Sequence, residues 1–174
     1  MLGTKQYQII YADPPWQYND RNTRGSAEGQ YTTMSLSELK ALPVPEIADE
    51  NSYMFLWATS PLLPEALELL NSWGFKYKTM GFVWLKMNLN SFGCFIGTGH
   101  YTRPSVEVCL LGTKGKLEIQ NKGVRQVIMS PRMGHSRKPS EIRERIVALL
   151  GDLPRIELFA RRRVDGWDAW GNEV

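Results

Sequence analysis

The stretch YADPPWQY, residues 11–18, closes a run from Tyr7 to Ala12 whose aromatic and β-branched content predicts a strand. Proline lacks the amide hydrogen that a sheet ladder needs, so Pro14 and Pro15 end the strand there. A plain strand stop accounts for the two prolines. It leaves unexplained Asp13 and Trp16 on either side, which place an acceptor and a large flat ring at the rigid tip of a sheet. In an open α/β sheet, ligands bind just beyond the carboxyl ends of strands. The tip is therefore the first candidate site, provided that the rest of the chain supplies the sheet.

Working outward, strand-like runs alternate with helical patterns, which predicts an α/β fold with a central sheet flanked by helices. Ser35 to Ala41 reads as a short helix, with Ser35 and Glu38 spaced as a capping box. Ser52 to Ala58 is a continuous apolar run that suits a strand buried on both faces. The next helix starts at Pro61 or Pro64, aligns Leu63, Leu67 and Leu70, and stops at Gly74. Further strands are expected at Lys76 to Lys86, Val106 to Gly112, Leu117 to Gln120, Val124 to Met129 and Arg155 to Phe159, with a helix from Ser140 to Leu150 ended by Gly151. Met87 to Pro104 has no hydrophobic period, and a loop that long is more often functional than structural. No repeat or linker divides the chain, so residues 1–174 are read as a single domain.

The 174 residues suffice for a core that buries roughly 70% of the unfolded surface, without help from a metal or disulfide. Cys94 and Cys109 are too far apart for a CxxC pattern, and two histidines are too few for a usual zinc set, so no metal is expected. There is no charged-then-apolar leader and no apolar run of membrane-spanning length, which points to a cytoplasmic protein with reduced thiols. The net charge is only +3, but residues 121–145 hold seven Lys and Arg against two Glu. That excess marks an anionic partner or a solvated basic helix face.

The chemistry of the tip follows from its residue types. If Asp13 and the Pro14 carbonyl accept hydrogen bonds from one NH2 group, they orient a planar amine and draw its lone pair out of ring conjugation. Trp16 is placed to stack on a ring. A flat base must first leave its stack, so single-stranded or flipped nucleic acid is the natural substrate. Tyr31, Trp57 and Trp84 are aromatic residues available to receive it, or to pack in the core. Near the C-terminus, Glu157, Arg161, Asn172 and Glu173 offer acceptors and donors to a ribose diol, and Lys138 can pair with a carboxylate. The alternative there is a buried strand capped by tryptophans. GTGHYT, residues 97–102, is no dinucleotide fingerprint, because Thr102 stands where the third glycine is required. A Walker A pattern is absent, and neither histidine has a Ser or Cys partner at hydrolase spacing.

ADPPW, YTTM, FLW, VWLK, GTGHY, CLLGTKG, SRKPSE and IELFAR followed by GW and WGNE occur in an order that resembles the MT-A-seventy family of adenine-N6 methyltransferases, over nearly the whole chain. The resemblance implies a Rossmann-like methyltransferase fold with a mostly parallel sheet. It also implies S-adenosylmethionine as methyl donor and a catalytic motif that precedes the main cofactor strand in sequence. By the same resemblance, Asp13, Pro14, Pro15 and Trp16 bind the target amine, and Asp13 also faces the cofactor's amino group. Lys138 takes its carboxylate, and Glu157, Arg161, Asn172 and Glu173 surround the ribose. Tyr31, Trp57, Trp84, Lys86 and His100 look like the target pocket.

The family's His-Asn pair after the arginine of the cofactor strand is Arg163-Val164 here, so the cofactor's adenine ring is left without an assigned partner. A compact bacterial or phage enzyme acting on DNA is the first expectation. The alternatives are an RNA enzyme or a catalytically inactive nucleic-acid-binding subunit. A homodimer or a second recognition subunit is possible in any of these cases.

Overall fold

The computed structural model describes residues 2–17, 33–99, 101–132 and 137–174. Seven strands form one sheet: β1 (Tyr7–Ala12), β2 (Ala48–Ala58), β3 (Lys76–Met87), β4 (Val106–Lys114), β5 (Val127–Pro131), β6 (Arg155–Leu158) and β7 (Asp168–Trp170), in the spatial order β5-β3-β4-β2-β1-β6-β7. The pairs β1–β2, β1–β6, β3–β5 and β6–β7 are parallel, whereas β4 runs antiparallel to both β2 and β3. The sheet is therefore mixed, with β4 alone reversed among these seven strands. The carboxyl ends of β1, β2, β6 and β7 share one edge, and the start of β4 joins them there.

Both faces of the sheet are covered, which is why its central strands read as unbroken apolar runs. Residues alternate between the faces along each strand. Ile10, Ala12, Met54, Leu56 and Leu110 meet α1 (Leu36–Lys40), α2 (Val44–Ile47) and α3 (Leu63–Ser72) through Leu39, Val44, Ile47, Ala66, Leu69, Leu70 and Trp73. Ile9, Tyr11, Phe55, Trp57, Phe82 and Cys109 face α4 (Glu141–Leu150) through Ile142, Ile146 and Leu150. The expected capping box is present: the Glu38 amide donates to Ser35 Oγ at 3.3 Å and the Ser35 amide to Glu38 Oε2 at 2.8 Å.

Several sequence expectations are corrected. Strand β2 starts at Ala48 rather than Ser52, because its first residues already lie beside Tyr7 of β1. Leu117 to Gln120 is not a strand: the amides of Gln120 and Asn121 donate to the Leu149 carbonyl at the end of α4, which takes the segment away from the sheet. The strand expected at Val124 begins at Val127, while β7 and α2 were not anticipated. Helix α3 buries Ala66, Leu69 and Leu70 and leaves Leu63 and Leu67 half-buried, so its packed face is turned from the one expected. The turn follows from where Leu70 docks. A Cβ on Gly112 of β4 would lie 2.8 Å from Leu70 Cδ1 and 2.9 Å from Cδ2, so any larger residue there would force Leu70 to shift. Gly112→Val should overpack this contact and cost about 2 kcal/mol, seen as a lowered urea midpoint with an unchanged slope.

Candidate active site

Beyond β1 the chain is fixed at three points. Within the tip, the Trp16 amide donates to the Pro14 carbonyl at 2.9 Å. A short ladder joins it to the entry of α1, with the Met34 amide donating to the Pro15 carbonyl at 2.8 Å and the Gln17 amide to the Met34 carbonyl at 3.2 Å. The Trp16 indole N–H donates to the Trp57 carbonyl at the end of β2, 3.1 Å away. Trp16 is thus largely buried as a latch between strands, not standing free to stack on a ring. What the tip presents is Asp13.

Asp13 lies at the mouth of a cleft of about 370 Å³. Its walls are Asp13 to Trp16 and Met34 on one side, Trp57 to Thr59 at the end of β2, and Phe159 to Arg161 with Trp170 to Glu173 at the ends of β6 and β7; Glu107 and Lys138 complete it. The β6 and β7 exits are bound to each other. The Ala160 amide donates to the Trp170 carbonyl at 3.0 Å, and Phe159 meets Trp170 edge to face at 5.4 Å. Phe159 adopts φ 61°, a backbone region that non-glycine residues seldom occupy and that concentrates at functional sites. A Cβ on Gly171 would lie 2.4 Å from the Ala160 carbonyl oxygen, so the close approach of these two exits requires glycine.

The electrostatic centre is a chain of four charges. Lys138 Nζ donates to both Asp13 oxygens at 2.8 Å and lies 3.3 Å from Glu107 Oε2, while Lys86 Nζ lies 2.5 Å from Glu107 Oε1. Burial pushes the Asp13 carboxyl above the usual aspartate range, and Glu107 adds to that; Lys138 and Arg161 oppose it without cancelling it. Burial would also raise Glu107, but Lys138 and Lys86 outweigh it and hold that carboxyl below the usual range. Burial works against the Lys138 ammonium, yet its two carboxylate partners keep it protonated far above the ordinary lysine range. Its charge also faces the Trp57 ring, 5.4 Å from the centroid.

Of the residues expected from the sequence, Asp13, Pro14, Pro15, Trp16, Trp57, Lys138, Arg161, Asn172 and Glu173 converge on the cleft. Glu157, Trp84 and Lys86 do not line it. Glu157 pairs in register with Tyr11, on the α4 face, and its carboxylate takes two hydrogen bonds from Arg143, at 2.7 and 2.6 Å. Trp84 is buried and donates its indole N–H to the Ser130 carbonyl, and Lys86 reaches the cleft only through Glu107. Tyr31 and His100 lie outside the described residues. Glu107, Phe159 and Trp170 line the cleft but were not singled out. A lone carboxylate in the apolar run VEVCLL was the available signal for Glu107. Among the described residues no cluster of three or more His, Cys, Asp or Glu is arranged to hold a metal ion, and no helix is long and apolar enough to cross a membrane.

A carboxylate acceptor beside an ammonium, in a cleft at the carboxyl ends of strands, makes a site suited to a polar small group. The family comparison agrees: the MT-A70 model matches residues 7–173, and the chain belongs to that family of methyltransferases. Relatives include the Type II methyltransferase M.MunI of a Mycoplasma species, 38% identical over 99% of this chain and 80% of that protein. The N(6)-adenosine-methyltransferase catalytic subunit METTL3 of Homo sapiens is 31% identical over 97% of this chain but only 28% of its own length. An MT-A70-like N(6)-adenosine-methyltransferase of Arabidopsis thaliana is 32% identical over the whole chain and 24% of its own length.

The Arg143–Glu157 pair anchors α4, and with it the segment carrying Lys138, to β6. Glu157→Gln leaves a largely buried guanidinium with a neutral partner, so the folded state should lose about 3 kcal/mol, measured by chemical denaturation.

Proposed function

We propose that this chain transfers a methyl group from S-adenosylmethionine to the exocyclic N6 amine of adenine in nucleic acid, with DNA as the first substrate. The observation that carries the reading is Asp13: an acceptor on a thrice-pinned tip, beside a buried ammonium, in a cleft of ligand size. In this reading the 174 residues act as one methyltransferase domain in the cytoplasm, with a Rossmann-like fold in permuted order. The catalytic tip follows β1, and the segments that would hold the cofactor's ribose follow β6 and β7.

The cleft suits the cofactor chemically. Lys138 would hold its carboxylate, Asp13 its amino group, and Asn172 and Glu173, with Arg161 beside Glu173, the ribose hydroxyls. When bound, S-adenosylmethionine supplies a methyl group on a positively charged sulfur. The chain's own work is on the amine. The Pro14 carbonyl spends one lone pair on the Trp16 amide and keeps the other. Together with Asp13 it can take both N–H groups of the adenine amine, orienting the nitrogen lone pair along one direction and drawing off charge as the proton is lost. Trp57 and Met34 line the cleft beside the tip and exclude water.

The polymer is read from the surface around this edge. Residues 88–105 join the end of β3 to the start of β4, next to Glu107. Phe92 and Tyr101 stand fully exposed on this loop, and Arg132 stacks on Phe95 at 3.6 Å. Exposed rings on a loop that also carries a guanidinium-stacked ring suit unstacked bases and phosphates. DNA is favoured over RNA because identity and mutual coverage are greater with the mycoplasma relative, whereas the names of the plant and animal relatives specify adenosine, a ribonucleoside. An inactive partner subunit fits less well with an intact, ion-paired Asp13.

Incubation with labelled S-adenosylmethionine and defined DNA and RNA oligomers, followed by mass spectrometry of the nucleosides, should give N6-methyladenine, more on DNA; label on cytosine or on protein alone rejects the reading. Asp13→Ala should lower turnover by a hundredfold or more, about 3 kcal/mol of barrier, with the fold retained by circular dichroism. Because burial raises the Asp13 carboxyl and its ionised form is the acceptor, the acid limb of kcat/KM should lie above the ordinary aspartate range. Binding to oligomers should weaken steeply with salt through counterion release. Sequencing of methylated random DNA should show a short or relaxed site, since among the described residues base-edge reading draws on the 88–105 loop and the basic segment.

A further inference from the structure

Asp13 as it stands is occupied. Both of its oxygens accept from the Lys138 ammonium at 2.8 Å; each keeps a second lone pair, but the ammonium stands across the carboxylate and competes with an incoming amine. Removing Lys138 altogether would not help, because it would take away the counter-charge that opposes the burial-driven rise of the Asp13 carboxyl and so favour the protonated form, a donor rather than an acceptor. The site needs Lys138 close enough to keep Asp13 ionised, yet off its oxygens. Glu107 lies on the other side of the same ammonium, with Oε2 3.3 Å from Lys138 Nζ, and its second oxygen is held by Lys86 at 2.5 Å. All three groups beyond Asp13 are shielded, with side chains 11–19% exposed, and the two ammoniums balance the two carboxylates. A lysine stem is flexible enough for its head to exchange partners without moving the backbone.

We propose that Glu107 is a positioning residue: it receives the Lys138 ammonium as that ammonium leaves Asp13, so Asp13 can turn its oxygens to the amine while its counter-charge stays in the cleft. The inference rests on Asp13 being the amine acceptor. Glu107 itself touches neither amine nor methyl group; it acts through Lys138. Lys86 sets the strength of the pull, since it competes with Lys138 for the same carboxylate. The other charged or titratable groups that act on Asp13 or feel it are Arg161, Arg143 and the deeply buried Tyr11 and Cys109, both held un-ionised by burial.

The test reads Asp13 directly and then turnover. In protein without cofactor or nucleic acid, the carbon-13-labelled Asp13 carboxyl is followed by NMR across pH. Glu107→Gln removes a negative charge that holds Asp13 up, so the midpoint should fall. Lys86→Met frees Glu107 to draw on Lys138, so the midpoint should rise. With cofactor and DNA, Glu107→Gln should lose tenfold or more in kcat while S-adenosylmethionine affinity, by calorimetry, changes less than threefold. Glu107→Asp should recover part of the loss. Should Glu107→Gln fail to fold, the Lys86→Met and Glu107→Asp arms still decide. Midpoints that stay fixed or move in the same direction, or a Glu107→Gln enzyme with more than half of wild-type kcat, overturn the proposal. Opposed midpoint shifts in a protein that never methylates adenine would uphold the coupling of Glu107 to Asp13 through Lys138 and reject the reaction assigned to the site.

Discussion

The ion pair between Asp13 and Lys138 is the contact on which the other features of the cleft converge. A carboxylate beyond a buried strand is costly unless a partner offsets its lost hydration. Here the partner comes from 125 residues further along the chain, ahead of α4. Each end of the pair is therefore held by a different layer. Asp13 is fixed by the proline tip, the Met34 ladder and the Trp16 latch on β2. Lys138 is fixed by α4, whose Arg143 is bound to Glu157 on β6. Loosening either layer separates the charges and leaves one of them buried and unpaired.

The mixed sheet explains why these groups meet. Strands β1, β2, β6 and β7 end on one edge, and the reversed β4 brings Glu107 to that edge from its own start. A strand parallel to β2 in that place would have put its start at the far side. The short, tight exits of β6 and β7, with Phe159 at positive φ and Gly171 against Ala160, then shape the second wall. Strain of that kind persists only where the surroundings over-determine it, and here the Phe159–Trp170 contact and the Ala160–Trp170 hydrogen bond do so.

Much of this was legible along the chain where the signal is local. The Ser35–Glu38 capping box, the Pro-Pro strand stop, the apolar run of β2 and the Gly151 stop of α4 depend on neighbours in sequence, and the structure contains each of them. Partners across the fold were not legible. Glu157 looked like a ligand for a ribose because its strand ends near the tip, but the period of two puts it on the α4 face beside Tyr11. The sequence offers Trp16 as a stacking surface and leaves Trp84 between the target pocket and the core, and both spend their indole N–H on backbone carbonyls within the protein. The only local sign of Glu107 is a lone acid in an apolar run at the start of an interior strand; the approach of Lys86 and Lys138 is what gives it a meaning.

The most direct test of the central claim is a crystal structure of the chain with S-adenosylhomocysteine bound. The account predicts the ligand in the cleft between the β1 tip and the exits of β6 and β7. Its amino-acid end should contact Asp13 and Lys138, its ribose Asn172 and Glu173, and Lys138 should lie closer to Glu107 than the 3.3 Å seen here. Ligand density elsewhere on the chain, or a bound complex in which Lys138 keeps both Asp13 oxygens and touches nothing of the ligand, would contradict it.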